Sequence, residues 1–170
     1  MNLDHYIEEL KTLVNVDCGT QTIAGVAAVA GIMQQLWQRE GWHTEQVNLG
    51  DKVGPGVFVS NKPQAERFDV LLVGHLDTVF APGTVAERPM SEDDTRLYGP
   101  GVSDMKSGLL NILWAMRGLD AADNDRLAIA VAMNPDEETG SVHSHEWIGE
   151  LAKRSPLRLF SDGDAVRAYD

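Results

Sequence analysis

Three clusters of polar residues in this sequence combine side chains that bind metals or move protons. In the first, VGHLDTV, His75 and Asp77 are two residues apart, so their side chains face the same way in an extended chain. The Asp77 carboxylate can accept the proton of one ring nitrogen of His75, which leaves the other nitrogen free to bind a metal. A hydrogen-bonded histidine at a strand end, without any metal, is the other interpretation of this cluster.

The second cluster, YGPGVSDMKSG, is a glycine-rich segment that carries Asp104. One interpretation is that Asp104 caps the helix that follows. A phosphate-binding loop is excluded, because Met105 stands where that motif requires its second glycine and Asp104 would repel phosphate. A carboxylate on a tight loop shaped by glycines is better suited to a cation.

The third cluster, NPDEETGS, places Asp136, Glu137 and Glu138 next to one another. Adjacent carboxylates repel each other unless solvent or a cation offsets their charge. An exposed acidic turn before a helix N-terminus, where negative charge is favourable, explains the same pattern without a metal. The cluster therefore permits both a structural and a metal-binding interpretation.

Taken together, the clusters indicate a metal site far more specifically than any one of them does alone. His75, Asp104 and Glu138 offer one nitrogen and two carboxylates, which suit zinc with an open position for water or substrate. Glu137, beside the ligand Glu138, can then accept the proton of the water that the metal activates.

The elements that must position these residues alternate along the chain. Unbroken apolar runs in DVLLVGHLD and LAIAVAM predict strands covered on both faces. Apolar spacing and chain breaks predict the remaining elements: helices within the first forty residues, near 104–117 and near 141–154, and strands at 43–49 and 57–59. Residues 80–98 are expected to form a loop, with an edge strand as the alternative, and residues 120–125 an acidic loop. This order predicts an α/β fold with a mostly parallel sheet flanked by helices. Ligands bind beyond the carboxyl ends of such strands, so the clusters should meet at one sheet edge.

Composition narrows the class of protein. The 170 residues include 26 acidic and 14 basic side chains, for a formal charge of −12, and 43% of them are hydrophobic. The apolar content excludes general disorder, and the negative charge argues against nucleic acid and anionic membranes as partners. One cysteine forms no internal disulfide, and the chain shows no secretory signal and no apolar stretch of transmembrane length. We therefore expect a cytoplasmic protein.

The three clusters, in this order and at these spacings, resemble the M20 family of zinc metallopeptidases, and most closely its glutamate carboxypeptidase-like branch. The resemblance covers about residues 1–154 and implies a zinc-exopeptidase-like catalytic domain. It also implies two zinc ions, with cobalt or manganese as alternatives. Its substrates would be small peptides or N-acyl amino acids, cleaved at the amide bond next to a C-terminal amino acid. Full-length relatives are homodimers.

The resemblance also implies a role for each site residue. His75 would bind one ion, Asp104 would bridge both, and Glu138 would bind the other ion. Glu137 would be the general base and acid, and Asp77 would orient His75. His143 and His145 occupy positions that the family pattern does not use, so they are read as surface residues.

The chain departs from the family after residue 154. Members are about twice this length. They continue into a buried strand that ends in an acidic metal ligand, then into an inserted dimerisation domain and a final histidine ligand. Residues 155–170 do not resemble the expected buried strand, which a frameshift, an early stop or a gene-model error near Ser155 would explain. A strand over Leu157–Phe160, with Asp162 or Asp164 as a substitute ligand, is the alternative.

Three functions follow from these observations. The first is a metallopeptidase or amidohydrolase of the M20 type, represented by its N-terminal part and not active by itself. The second is an inactive truncated fragment or a metal-binding α/β module. The third is a plain doubly wound binding domain, which would leave the three clusters as coincidence.

Overall fold

The computed structural model of the protein describes residues 2–162 and 165–169, with side chains through residue 159. The helices are α1 (Leu3–Val14), α2 (Ile23–Arg39), α3 (Thr84–Glu87), α4 (Ser107–Arg117), α5 (Ala121–Arg126) and α6 (His145–Lys153). The strands are β1 (His43–Val47), β2 (Gly56–Ser60), β3 (Val70–His75), β4 (Ser91–Glu92), β5 (Leu97–Tyr98), β6 (Ile129–Asn134), β7 (Leu157–Asp162) and β8 (Ala165–Tyr169). No helix within this described part is long and apolar enough to cross a membrane.

Six of the strands form one sheet in the order β1-β2-β6-β3-β7-β8, and β4 and β5 form a separate hairpin. β3 lies between β6 and β7 and is parallel to both. β2 is antiparallel to β1 and to β6, and β8 is antiparallel to β7. Four strands, β1, β6, β3 and β7, thus run in one direction, which confirms the predicted mostly parallel sheet.

Helices cover both faces of this sheet. Side chains of α1, α2 and α4 pack on one face, and those of α6 pack on the other. On the fully buried β6, Val131 and Met133 join the first of these cores, while Ala130 and Ala132 join the second. This alternation is the two-residue period of a strand buried on both sides. The flanking helices confirm the predicted fold class.

Two helices begin later than the sequence predicts. The helix expected from near Asp104 begins at Ser107, because Asp104 has extended backbone angles (φ −116°, ψ 100°). The helix expected from Ser141 begins at His145, because Ser141 lies in the left-handed region (φ 54°). In both places the residues taken for the first helical turn form an irregular turn that carries polar groups.

Two other expectations are corrected. The acidic segment 120–125, expected to be a loop, forms helix α5, because the Asp120 side chain caps it by accepting a hydrogen bond from the Asp123 amide. The segment after Pro156, which does not resemble the family's buried strand, contains β7, whose backbone pairs with β3, so the alternative of a strand over Leu157–Phe160 is confirmed. Leu157 is 41% exposed, so this strand is not covered throughout and its sequence lacks the unbroken apolar run of a strand buried on both faces. Asp164 and the side chain of Asp162, the suggested substitute ligands, lie outside the described residues.

A buried carboxylate joins the helices on the first face. Glu9 in α1 is 7% exposed and accepts hydrogen bonds from Trp114 Nε1 at 2.8 Å and from two nitrogens of Arg117 at 2.7 and 2.8 Å. Arg117 also donates to Glu40 at the end of α2. Burial raises the pKa of Glu9, but the hydrogen bonds from Arg117 and Trp114 outweigh it, so the pKa is lowered from 4.5.

We expect Glu9→Gln to lower the free energy of unfolding by about 2 kcal/mol at neutral pH, because it removes the charge that Arg117 binds. The folded-state pKa is below 4.5, so this stabilisation is complete above that pH and is lost as the pH falls through the folded value. Urea unfolding between about pH 7 and pH 3.5 should show the difference shrinking. Glu150→Gln, at an exposed ion pair with Lys153, is the control, with an expected change below about 0.5 kcal/mol. A pH-independent loss for Glu9→Gln would contradict this account.

Candidate metal centre

The strand register brings the first and third clusters together. β3 and β6 are parallel, and His75 is paired with Asn134, the last residue of each strand. The pairing continues one residue further, because the Leu76 amide donates to the Asn134 carbonyl at 2.8 Å. Glu137 and Glu138 follow on a short helical turn. The edge beyond the carboxyl ends of these strands thus carries the histidine and both glutamates, as the sequence predicts.

Met105 anchors the second cluster beneath this edge. Its side chain is 1% exposed, and its sulfur accepts a hydrogen bond from the His75 backbone amide at 3.0 Å. Gly74 makes room for it, since a Cβ atom there would lie 2.6 Å from the Met105 methyl carbon. The peptide bond between Asp104 and Met105 is cis. With Met105 packed inward, the preceding Asp104 carboxylate reaches His75 Nε2 at 2.9 Å.

Lys106, the residue after Met105, holds the second cluster against the segment that follows α1. Its side chain is buried, and the ammonium group donates to the carbonyls of Val16 at 3.0 Å and Pro100 at 3.3 Å. Burial lowers the pKa of Lys106. The side chain therefore ties the end of α1 to the glycine-rich segment that carries Asp104.

The His75 ring is buried and held at both nitrogens. Nδ1 lies 3.1 Å from the Asp77 carbonyl and 3.2 Å from Asp77 Oδ1, two acceptors that place the proton on Nδ1 in the neutral ring. Nε2 faces Asp104 at 2.9 Å and Glu137 at 4.0 Å. Burial lowers the pKa of His75, but hydrogen bonds with Asp77 and Asp104 and the charge of Glu137 outweigh it and raise the pKa to about 9.

Asp77 binds more than the histidine. Its side chain is fully buried, and Oδ1, which contacts His75, also accepts a hydrogen bond from the Glu137 amide at 3.2 Å. Oδ2 accepts from the Glu138 amide at 3.2 Å and from the Thr20 hydroxyl at 2.6 Å. One carboxylate therefore fixes both the imidazole ring and the turn that carries the two glutamates.

A second buried carboxylate shapes the loop behind that turn. Asp136 is fully buried and accepts hydrogen bonds from the Ser144 hydroxyl at 2.5 Å and the His143 amide at 2.7 Å. Its carbonyl also accepts from the Ser141 amide at 2.8 Å. Of the three adjacent acids, Asp136 thus has a structural role, whereas the side chains of Glu137 and Glu138 lie beside His75 and Asp104.

The donor atoms converge where these segments meet. In the described part of the chain, one group of side chains could hold a metal: His75, Asp104 and Glu138, with one ligand atom each and all within 4.8 Å of one another. The ring of His75 is 1% exposed, whereas the side chains of Asp104 and Glu137 are 52% and 45% exposed, so the group opens to solvent on one side. Burial and the neighbouring carboxylates of Asp104 and Asp77 raise the pKa of Glu138, against the opposing effect of His75.

This donor set fits a divalent metal ion. One imidazole nitrogen and two carboxylates form an open zinc site when a water or substrate completes the shell. Burial and the repulsion of neighbouring carboxylates raise the pKa of Glu138, and a bound cation would offset that repulsion.

All five predicted site residues, His75, Asp77, Asp104, Glu137 and Glu138, lie at this one edge. His143 and His145 are exposed, as expected, and lie outside the group of donors. Sequence reasoning missed the contribution of Thr20, Met105 and Lys106, and read Asp136 only as part of an acidic run. No local pattern marks Thr20, whose partner is 57 residues away.

Comparisons with known proteins agree with this fold. Residues 71–169 match the model of "Peptidase family M20/M25/M40". The chain belongs to this family, whose members are metal-dependent hydrolases.

Particular relatives refine the comparison. The chain is 33% identical over 149 residues to carboxypeptidase G2 of Pseudomonas sp. (strain RS-16), a match that covers 86% of this chain and 36% of the relative. It is 30% identical over 101 residues to acetylornithine deacetylase of Salmonella arizonae, covering 58% of this chain and 26% of that one. The chain thus spans well under half the length of these relatives.

Solved structures share the fold. Human carnosine dipeptidase 1 aligns over 94% of this chain and 38% of its own, with a TM-score of 0.75 and 21% identity. An M20 family metallo-carboxypeptidase from Sulfolobus solfataricus aligns over 95% of this chain and 37% of its own, with a TM-score of 0.71 and 21% identity.

Proposed function

We propose that this chain carries the core of a zinc-dependent hydrolase that cleaves the amide bond next to a C-terminal amino acid. The observation that supports this most is the donor group His75, Asp104 and Glu138 beside the solvent-facing Glu137. The matched relatives are a carboxypeptidase and a deacetylase, and both names describe amide cleavage. Small peptides or N-acyl amino acids are the proposed substrates.

The proposed metal is zinc, as two ions, with cobalt or manganese as alternatives. His75 would hold one ion through Nε2, Glu138 the other, and Asp104 would bridge them. Bound zinc would supply Lewis acidity, which polarises a carbonyl and makes water a stronger acid.

Two residues of the chain would transfer the proton of the attacking water and orient the groups around it. Glu137 would accept a proton from the attacking water on Oε2, the oxygen 4.0 Å from His75 Nε2, and pass it to the leaving amine. Asp77 would keep the proton of His75 on Nδ1 and hold Glu137 in place through its backbone amide. A metallopeptidase or amidohydrolase mechanism needs both of these functions.

The acidic chain is proposed to act on small molecules in the cytoplasm, without nucleic acid or membrane partners. A homodimer, as the resemblance implies for full-length relatives, is proposed for a complete form. Residues 155–170 are proposed to be an atypical tail after the catalytic segment 1–154, and reading the genomic DNA downstream of Ser155 in all frames tests that division.

A second candidate is an inactive fragment or a metal-binding α/β module. The observation that favours it is length, because the chain covers 36% of carboxypeptidase G2. The remainder would supply a further histidine ligand and the groups that grip the substrate. A misplacement of about 1 Å at a reacting centre can alone reduce a rate about 100-fold.

An assay of two proteins separates these functions. The purified chain and a version extended through the downstream reading frame would be tested with zinc on N-acyl glutamate and on peptides ending in glutamate. We expect zinc-dependent hydrolysis by the extended chain, and a rate at least about 100-fold lower for the 170-residue chain. Comparable rates would overturn the requirement for further segments, and no zinc-dependent activity in either protein would overturn the proposed hydrolase.

A further inference from the structure

The linker between α1 and α2, residues 15–22, contacts the segment that follows His75. The Thr78 amide donates to the Cys18 carbonyl at 3.0 Å, and the Thr20 amide donates to the Thr78 carbonyl at 3.2 Å. The approach is so close that a Cβ atom at Gly19 would lie 2.2 Å from the Phe80 carbonyl oxygen. The backbone of the linker is therefore fixed against the metal centre.

From this fixed backbone, Thr20 reaches the buried carboxylate of Asp77. Its hydroxyl donates to Asp77 Oδ2 at 2.6 Å, and the residue is 9% exposed. The other donors to Asp77 are the His75 ring and the amides of Glu137 and Glu138, which belong to the metal-binding segments themselves. Thr20 thus contributes the contact that comes from a separate part of the chain.

We propose that Thr20 is a positioning residue for the metal centre, acting through Asp77. Its hydrogen bond fixes the rotation of the Asp77 carboxylate, so that Oδ1 faces the ring of His75 while both oxygens hold the amides of Glu137 and Glu138. Without it, the carboxylate keeps only its contacts with the His75 ring and the glutamate amides, so the common support of the imidazole and the glutamate turn is weakened. This inference rests on the proposed function, since its consequence is metal affinity.

The same linker contains a matched control. Thr22 Oγ1 is buried and has no hydrogen-bond partner in the described part of the chain. Thr22→Val and Thr20→Val therefore make the same chemical change two residues apart. Of these two hydroxyls, that of Thr20 contacts a residue of the metal centre and that of Thr22 does not.

The experiment measures zinc affinity of the 170-residue chain by competition with a chelator, and records the visible spectrum of its cobalt complex. We expect Thr20→Val to lower zinc affinity about tenfold and to change the cobalt spectrum, as loss of support for a ligating histidine does. Thr20→Ser, which keeps the hydroxyl, and Thr22→Val should both bind as the unmodified chain does. Thr20→Ala provides a second loss of the hydroxyl should the valine variant not fold.

A double-mutant cycle that combines Thr20→Val with Asp77→Asn separates a positioning role of Thr20 from a general effect on folding. If Thr20 acts through Asp77, Thr20→Val changes zinc affinity less than about twofold once Asp77 is already replaced. A tenfold loss that persists in the Asp77→Asn background would overturn the inference. Unchanged affinity of both Thr20→Val and Thr20→Ala in a chain that binds zinc through His75 would overturn it as well, and would leave the proposed function standing. Equal zinc binding by the unmodified chain and His75→Ala would instead overturn the proposed function and this inference together.

Discussion

Replacing His75 by alanine is expected to lower the affinity of the chain for zinc by more than about 100-fold. Loss of a residue that merely supports a ligand lowers metal affinity about 10- to 100-fold, and His75 is proposed to be the ligand itself. It supplies the nitrogen of the donor group, and its ring is 1% exposed and held at both nitrogens. The substitution also removes the partner of the buried carboxylate of Asp77.

Competition with a chelating dye measures this loss. His145→Ala is the matched control, because His145 is exposed and its Nδ1 contacts only the nearby Val142 carbonyl among the hydrogen bonds described. The raised pKa of His75, about 9, adds a pH dependence, since zinc must displace the ring proton below that pH. Affinity should therefore fall by up to about tenfold per pH unit as the pH decreases from 9. Equal zinc affinity of His75→Ala and His145→Ala would contradict the assignment of this ligand.

Replacing Glu137 by glutamine in the extended, active chain is expected to reduce turnover about 1000-fold or more while bound zinc stays the same. The amide keeps the shape of the side chain and cannot accept a proton at the oxygen that faces His75. The Glu137 backbone amide would still donate to Asp77, so the turn should keep its position. The loss should therefore appear in kcat, with metal content unchanged.

The adjacent glutamate provides the contrast. Glu138→Ala removes a donor atom of the proposed metal group and should lower both zinc content and turnover. Steady-state kinetics and metal analysis of the two variants, side by side, distinguish a proton acceptor from a ligand. Near-normal kcat for Glu137→Gln would place the general base elsewhere.

Much of this site could be predicted because its information is local. The apolar runs before the first and third clusters predict two buried strands, and parallel strands necessarily bring the residues after their carboxyl ends together. His75 and Glu138 could therefore be placed at one edge before any contact was known. The family model match over residues 71–169 covers all three clusters.

The support of the site could not be predicted, because it depends on contacts between distant segments. Thr20 lies 57 residues from Asp77, and the Lys106 side chain reaches a carbonyl 90 residues away. Within an acidic run, nothing in the sequence distinguishes the buried Asp136 from the exposed Glu137 and the half-buried Glu138. The strand after Pro156 was predicted only as an alternative, over Leu157–Phe160, because its sequence lacks the unbroken apolar run of β3, with which it pairs.

The central claim is that His75, Asp104 and Glu138 together hold metal, and zinc-edge anomalous diffraction from crystals of the chain grown with zinc tests it most directly. The account predicts anomalous density within about 2.0–2.2 Å of His75 Nε2 and of an Asp104 carboxylate oxygen, with Glu138 bound to the same or the adjoining ion. Zinc bound only elsewhere, with these three side chains unliganded at saturating zinc, would contradict it.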